Sequence, residues 1–487
     1  MTSLVLRRAR IIGDGRLIDV AIHGGRVSAV GRALEVAHDC AHIDLDGRWI
    51  MPGLWDAHAH FTQWSRQAGR VDLHGAQSAV EAAATLLARV DGPGLVVGRG
   101  FQDALWPDQL TADALAAGGA PVVAVSHDLH CVWLNEAAAS VLGAPHAGVL
   151  REAEAFAAEV ALDRVMGGGE RLVAAAVAAA TARGIVGVRD LEFDDNVARW
   201  GERAARGHDS LRIEACIYPE HLAAADSRGL RSGDPVPGTQ GLVTMGALKI
   251  FTDGALNTRT ALTHEPYAAA GSGEGERSVG HAAHTPRELR ELLAAATQRG
   301  LTVAAHAIGD AGVTMALDAF EATGAAGTIE HAQLVTGADL PRFARLGVAA
   351  SVQPQHALDD RDVTDAVWGD RADRAFAFRS LADAGARLML GSDAPVAPLD
   401  PWVTIAAAVT RTDDHREPWH PEQSLSRREA LAASVGRRVY DGWVAPGMTA
   451  DLIAVDYDPL TATGPALRAM PVALTLLEGR VTHSELG

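Results

Sequence analysis

The chain has little cysteine. Cys40, Cys131 and Cys216 are its only three, widely scattered over 487 residues, and no CxxC pair occurs. That excludes a disulfide framework and fits a reducing compartment. No run of basic residues occurs either, and the net charge is −18. A nucleic-acid or anionic-membrane partner is thereby disfavoured. No stretch reaches the roughly 18 apolar residues of a membrane span. The apolar segment before Arg7 and Arg8 is too short for a signal peptide. No GxGxxG follows a first strand and no GxxxxGK[ST] occurs, so nucleotide-binding sheets lose ground. The expected class is a cytoplasmic enzyme acting on a small-molecule substrate, with a homodimer as the default assembly.

Lysine is the scarcest residue of consequence. Of 43 basic side chains, a single one, Lys249, is a lysine. An arginine-biased genome accounts for that blandly. Arginine replaces lysine as a charge, however, and cannot replace it where the amine must lose its proton and react.

What is there is ample core. Hydrophobic residues make up 48% of the chain, enough to exclude a disordered tail. Residues 1–50 and 441–487 alternate apolar and polar residues between Gly and Asp-Gly turns, which predicts a small β module built from both termini. Between them, residues 51–440 alternate strand-like runs with Ala-rich helical ones. The runs at 184–190, 211–218, 243–251, 301–310, 327–333, 347–356 and 386–393 read as strands, and 288–300 and 312–324 as helices. Repeated strand–helix alternation predicts an α/β fold of parallel βα units. Polar residues fall at the C-terminal ends of many strands, which favours a barrel over an open sheet. Residues 65–170 are too many for one helix. They predict an inserted subdomain, mostly helical, with a strand at 121–128. The Gly-rich 265–285 reads as a loop over the site.

Five places carry chemistry. Asp56-Ala-His58-Ala-His60 follows a strand-like run, so His58 and His60 share one face. That is half of a divalent-metal site, or chance in a chain with 20 histidines. His306 and His331 each end a strand-like run. Each alone suits a hydrogen-bonded core histidine, but in a barrel both ends converge on one mouth. Asp393 follows apolar LML in LMLGSDAPV, where an acid is costly unless paired or metal-bound; a surface turn is the plain alternative. Lys249 lies inside an apolar strand, where it either snorkels or faces the interior as a neutral amine. A neutral amine reacts with carbon dioxide to a carbamate, an anionic group able to bridge two metals. The order two His, Lys, His, His, Asp then supplies about the number of ligands that two metals with open positions need.

The stretches MPGLWDAHAHF, GVLREAEAF, ARGIVGVRDLE, LKIFTDGALNTRTA, AHAIGDAG, GTIEHAQLV, SVQPQHALDD, LGSDAPVAPLDP and APGMTADLIAVD resemble the amidohydrolase superfamily, within it the YtcJ-like family 3 group. The resemblance implies a distorted (β/α)8 TIM barrel with a β-sandwich from both termini and a dinuclear metal centre at the strand ends, with His58 and His60 on the buried metal and carboxylated Lys249 bridging. It implies His306 and His331 on the second metal, and Asp393 touching metal and shuttling protons. Zinc is the expected metal; iron, manganese or nickel suit the same ligands. Relatives usually carry Arg-x-Asp-Gly-His in the insertion, where this chain has Ser126-His127-Asp128-Leu129-His130. Asp128 and His130 are retained. With Asn135, Arg259, Gln353 and His356 they make up the candidate substrate residues.

The function so implied is hydrolysis of an amide, N-acyl or formamide C–N bond by a metal-bridging hydroxide. Asp393 then serves as proton carrier, and His331 or a residue of the inserted segment steadies the oxyanion. A mononuclear deaminase and a lactone or ester hydrolase are the alternatives. A non-enzymatic regulatory protein on the same fold is a remote one. Trp55, Trp133 and Trp368 are candidates for an apolar pocket wall, and His74 is expected on the surface.

Overall fold

The structure, a computed structural model, describes residues 3–35, 40–67, 69–167, 169–268, 278–436 and 443–486. Along the chain come β1 (Ser3–Ile11), β2 (Leu17–His23), β3 (Arg26–Gly31), β4 (Ala41–Asp44) and β5 (Trp49–Pro52), then β6 (Leu54–Ala59). Next are β7 (Val71–Asp72), β8 (Val96–Phe101), β9 (Val122–Ser126), β10 (Cys131–Leu134) and β11 (Gly148–Arg151). They precede β12 (Ile185–Asp190), β13 (Arg212–Ile217), β14 (Val243–Phe251), β15 (Val303–Ala307), β16 (Gly327–His331), β17 (Ala349–Val352) and β18 (Leu388–Leu390). The last three are β19 (Leu452–Val455), β20 (Val472–Leu477) and β21 (Arg480–Ser484).

Strands β6 and β12–β18 form one parallel sheet in the order β18-β17-β16-β15-β14-β13-β12-β6. Its two edges meet. Asp393 N–H donates to His58 O at 2.6 Å and His60 N–H to Ala394 O at 2.7 Å. The expected eight-stranded α/β barrel is therefore the fold, with helices outside. Its strands read as near-continuous apolar runs because both faces are buried.

The helix expected at 288–300 begins earlier, at Pro286–Gln298. Thr285 and Glu288 form a capping box there, and Pro286 occupies the first helical position, where its missing N–H costs nothing. The helix Asp310–Thr323 stops at Gly324, whose φ is 65°.

Both termini join one further sheet, ordered β21-β20-β19-β5-β1-β2-β3, with β4 on β1. The pairing of Leu452–Val455 with Trp49–Pro52 links the two ends of the chain. Leu6, Val20, Ile22, Ile50, Leu452 and Leu476 lie in its separate core. Gly53 turns the chain from this sheet into the barrel. A Cβ there would lie 2.2 Å from Val186 Cγ1, so only glycine fits.

The insertion has the strand expected at 121–128, as β9, but differs from expectation in the rest. It is not mostly helical: it holds a five-stranded sheet, β11-β10-β9-β8-β7. Val122, Ala124, Cys131 and Trp133 face one core. Val123, Val125, Val132 and Leu134 face another. With both faces covered, the period of two shows no polar phase, and the strands are hard to tell from buried helix. The loop expected at 265–285 lies partly outside the described residues, which omit 269–277.

Candidate metal centre

Strand geometry does most of the assembly. His58 and His60 alternate with Ala57 and Ala59 at the end of β6, so both rings face the barrel mouth. Lys249 sits near the end of β14 and is 1% exposed. Its Nζ lies 3.3 Å from His58 Nε2. His306 is in β15 and His331 ends β16, their ring centres 4.6 Å apart. His331 has φ 72° and Asp393 φ 57°. Left-handed backbone at two side-chain-bearing residues is strain held by the surroundings, and here it sets both side chains at the mouth. Asp393 Oδ1 is 3.4 Å from His58 Nε2 and 3.5 Å from His60 Nε2.

The six groups expected to act together thus share one cavity. Burial, followed by the nearby Lys249, pushes the His58 and His306 imidazoles well below their ordinary value. Burial and the His306 ring do the same to His331. His60 falls to about 3, for burial first and Lys249 second. Burial also lowers the Lys249 amine, against the pull of Glu330. It raises the Asp393 carboxyl, against Lys249 and His130.

Neutral imidazoles offer lone pairs. His60 Nδ1 and His331 Nδ1 are buried without a hydrogen-bond partner among the described residues. Ligand atoms of His58, His331 and Asp393 lie within 4.8 Å of one another. Such a set fits a divalent cation, which would satisfy what the protein leaves open.

Glu330, not anticipated from sequence, orders the site. His58 donates its Nδ1–H to Glu330 Oε2 at 2.7 Å, which turns Nε2 toward the cavity. Arg189 Nη1 donates to Glu330 Oε1 at 2.9 Å, and Thr328 bonds the same oxygen. All this is buried. Its one sequence signal is adjacency to His331 in GTIEH.

The insertion supplies one wall. Asp128 and His130 line the cavity, as does His356, whose Nε2 is 3.9 Å from Asp393 Oδ2. His130 donates Nδ1–H to Glu152 at 2.7 Å. Burial pulls its pKa down, but Glu152 outweighs this and raises it to about 9. This imidazolium puts a positive charge beside the neutral ones.

Three candidate substrate residues lie elsewhere. Asn135 caps the helix Glu136–Leu142 and bonds the backbone of Leu115, Ala120 and Val122. Arg259 turns to Ala104 O. Gln353 bonds Ser351 O and does not line the cavity. The apolar wall is Phe156, Phe193 and Phe251, with Phe193 stacked on His60. Trp133 and Trp368 are core residues, and Trp55 packs on Gly187, away from the mouth. The cavity measures about 50 Å³, room for a few waters or ions.

The sequence model described as "Amidohydrolase family" matches residues 41–483. YtcJ of Bacillus subtilis (strain 168), which carries an amidohydrolase name, is 27% identical over 91% of this chain and 90% of its own. N-substituted formamide deformylase of Arthrobacter pascens is 24% identical over 96% of this chain and 95% of its own. A metal-dependent hydrolase structure from Pyrococcus horikoshii OT3 superposes with a TM-score of 0.78 at 28% identity, covering 95% of this chain and 99% of that one. No helix among the described residues is long and apolar enough to cross a membrane.

Proposed function

The chain belongs to the amidohydrolase family, a family of metal-dependent hydrolases, and on that premise we propose that it cleaves a C–N bond of amide, N-acyl or formamide type at a centre of two divalent cations, zinc first among them. The observation that carries this reading is the convergence of His58, His60, Lys249, His306, His331 and Asp393 on one cavity. His58, His60, His306 and His331 would hold the cations, with Asp393 as a further ligand. Lys249, the sole lysine, would bridge them after its neutral amine attacks carbon dioxide. That step would form an N–C bond as one C=O π bond of carbon dioxide opens, the nitrogen losing one proton to solvent. When bound, the cations supply Lewis acidity and bring the pKa of water near neutrality.

The protein's own groups do the rest. Asp393 accepts one proton of the attacking water and gives it to the leaving nitrogen. Glu330 keeps His58 in one tautomer. The imidazolium of His130 faces the developing oxyanion, with His331 beside it. The phenylalanine wall takes an apolar substituent.

One observation favours the mononuclear alternative: among the described residues a single trio, His58, His331 and Asp393, falls within 4.8 Å. Elemental analysis of wild type and Lys249→Ala separates the two readings. About two metals per chain, falling in the variant, is the expected result. One metal, unchanged in the variant, refutes the bridge. Turnover is then assayed on N-substituted formamides, N-acyl amino acids and lactones.

A further inference from the structure

A line of side chains outside the proposed ligand set runs from solvent to the cavity. Asp72, ending β7, is 60% exposed at its side chain. His74 donates Nδ1–H to Asp72 Oδ1 at 2.6 Å. His74 Nε2 faces His127 Nδ1 at 3.0 Å, the two rings nearly perpendicular. His127 and Asp360 line the cavity. His127 Nε2 has no hydrogen-bond partner among the described residues, and Asp359 Oδ2 lies 3.6 Å away. That gap is beyond a direct hydrogen bond and leaves the nitrogen open to a water.

The line is built rather than incidental. A Cβ on Gly100 would lie 2.2 Å from His74 Cε1, so the backbone of β8 makes room for this ring. Two imidazoles joined N–H···N share one proton, and the exposed carboxylate sets which nitrogen of His74 carries its own. A packing role needs no titratable pair. The groups facing His127 are Asp128, Asp359, Asp360, His356 and His74. Those facing His74 are Asp72, Arg99 and His127.

We propose that Asp72, His74 and His127 form a proton relay joining the catalytic cavity to solvent. The relay rests on the hydrolytic reading above. Asp393 carries one proton of the attacking water to the leaving nitrogen; the other is lost when each fresh water ionises, and it must leave the cavity. His127 accepts that proton at Nε2 and releases its Nδ1 proton to His74 Nε2. His74 releases its Nδ1 proton to Asp72, and the carboxylic acid gives it to solvent. One proton enters and one leaves. Both rings exchange tautomer, and passage in reverse resets them while supplying a proton to the departing amine.

The test uses zinc-loaded full-length wild type, His74→Gln and Asp72→Ala. Histidine 15N NMR reads the relay without substrate. The expected result is coupled titration of His74 and His127, with the Nδ1–H preference of His74 lost in Asp72→Ala. Independent titration overturns the proposal. On N-substituted formamides in weakly buffering solution, His74→Gln should lower kcat about tenfold with KM unchanged. Added imidazole should restore it. An unchanged kcat, or a loss that imidazole leaves in place, overturns the relay. If wild type turns over no amide, the hydrolytic reading fails. The NMR coupling then decides the proton path by itself.

Discussion

Glu330→Gln isolates the contribution of a residue that touches no substrate. The carboxylate is fully buried, accepts the Nδ1–H of His58 at 2.7 Å and pairs with Arg189 at 2.9 Å. Neutralising it weakens both holds while keeping the side chain's shape. A carboxylate that orients a metal-binding histidine is worth about 10–100-fold in metal affinity, or about 1.4–2.8 kcal/mol. The stability cost is a separate quantity. Breaking a buried pair costs about 3–5 kcal/mol. The amide here keeps an acceptor oxygen, and Arg189 keeps Glu214 at 3.3 Å. About 2 kcal/mol is therefore expected. Zinc titration against a chromophoric chelator reads the first number, and urea unfolding of the metal-free protein reads the second. Glu330→Ala should lose more in both. Zinc affinity within about twofold of wild type, in a folded variant, refutes the orienting role.

Two further predictions concern stability. Glu159 is buried, and desolvation, only partly opposed by Arg70, pushes it up to about 8. The ordinary value of 4.5 holds in the unfolded chain. Between those two pH values the folded state binds the extra proton, so stability falls as pH rises through that window and the penalty is complete above it. Glu159→Gln should abolish this dependence and exceed wild type by on the order of a few kcal/mol at alkaline pH, measured by urea unfolding across pH; parallel pH profiles refute it. Asn135→Ala should cost about 1–2 kcal/mol through the lost helix cap, more with the carbonyls left unpaired. Metal content should stay at the wild-type level, and a drop in it would return Asn135 to the site.

Local features made much of this protein legible. Alternation in Asp56–His60 set two imidazoles on one face, and apolar runs ending in His306, His331 and Asp393 pointed to one barrel mouth. What stayed hidden depended on pairing at a distance. Asn135 reads as a polar residue near a retained Asp-x-His, yet the turn after β10 sends its amide into the helix cap. The insertion's strands carry alternation with no polar phase, because each face has its own core.

The sequence by itself determined residue type and local spacing. It therefore determined the parallel βα succession, the single lysine within an apolar strand and the histidines at strand ends. Only the tertiary structure decided which partner each of these meets. Glu330 reaches His58 across 272 residues, and His74 reaches His127 across 53. Those meetings depend on strand register and on how the insertion docks, set by burial summed over the whole core. No local window of sequence contains that sum.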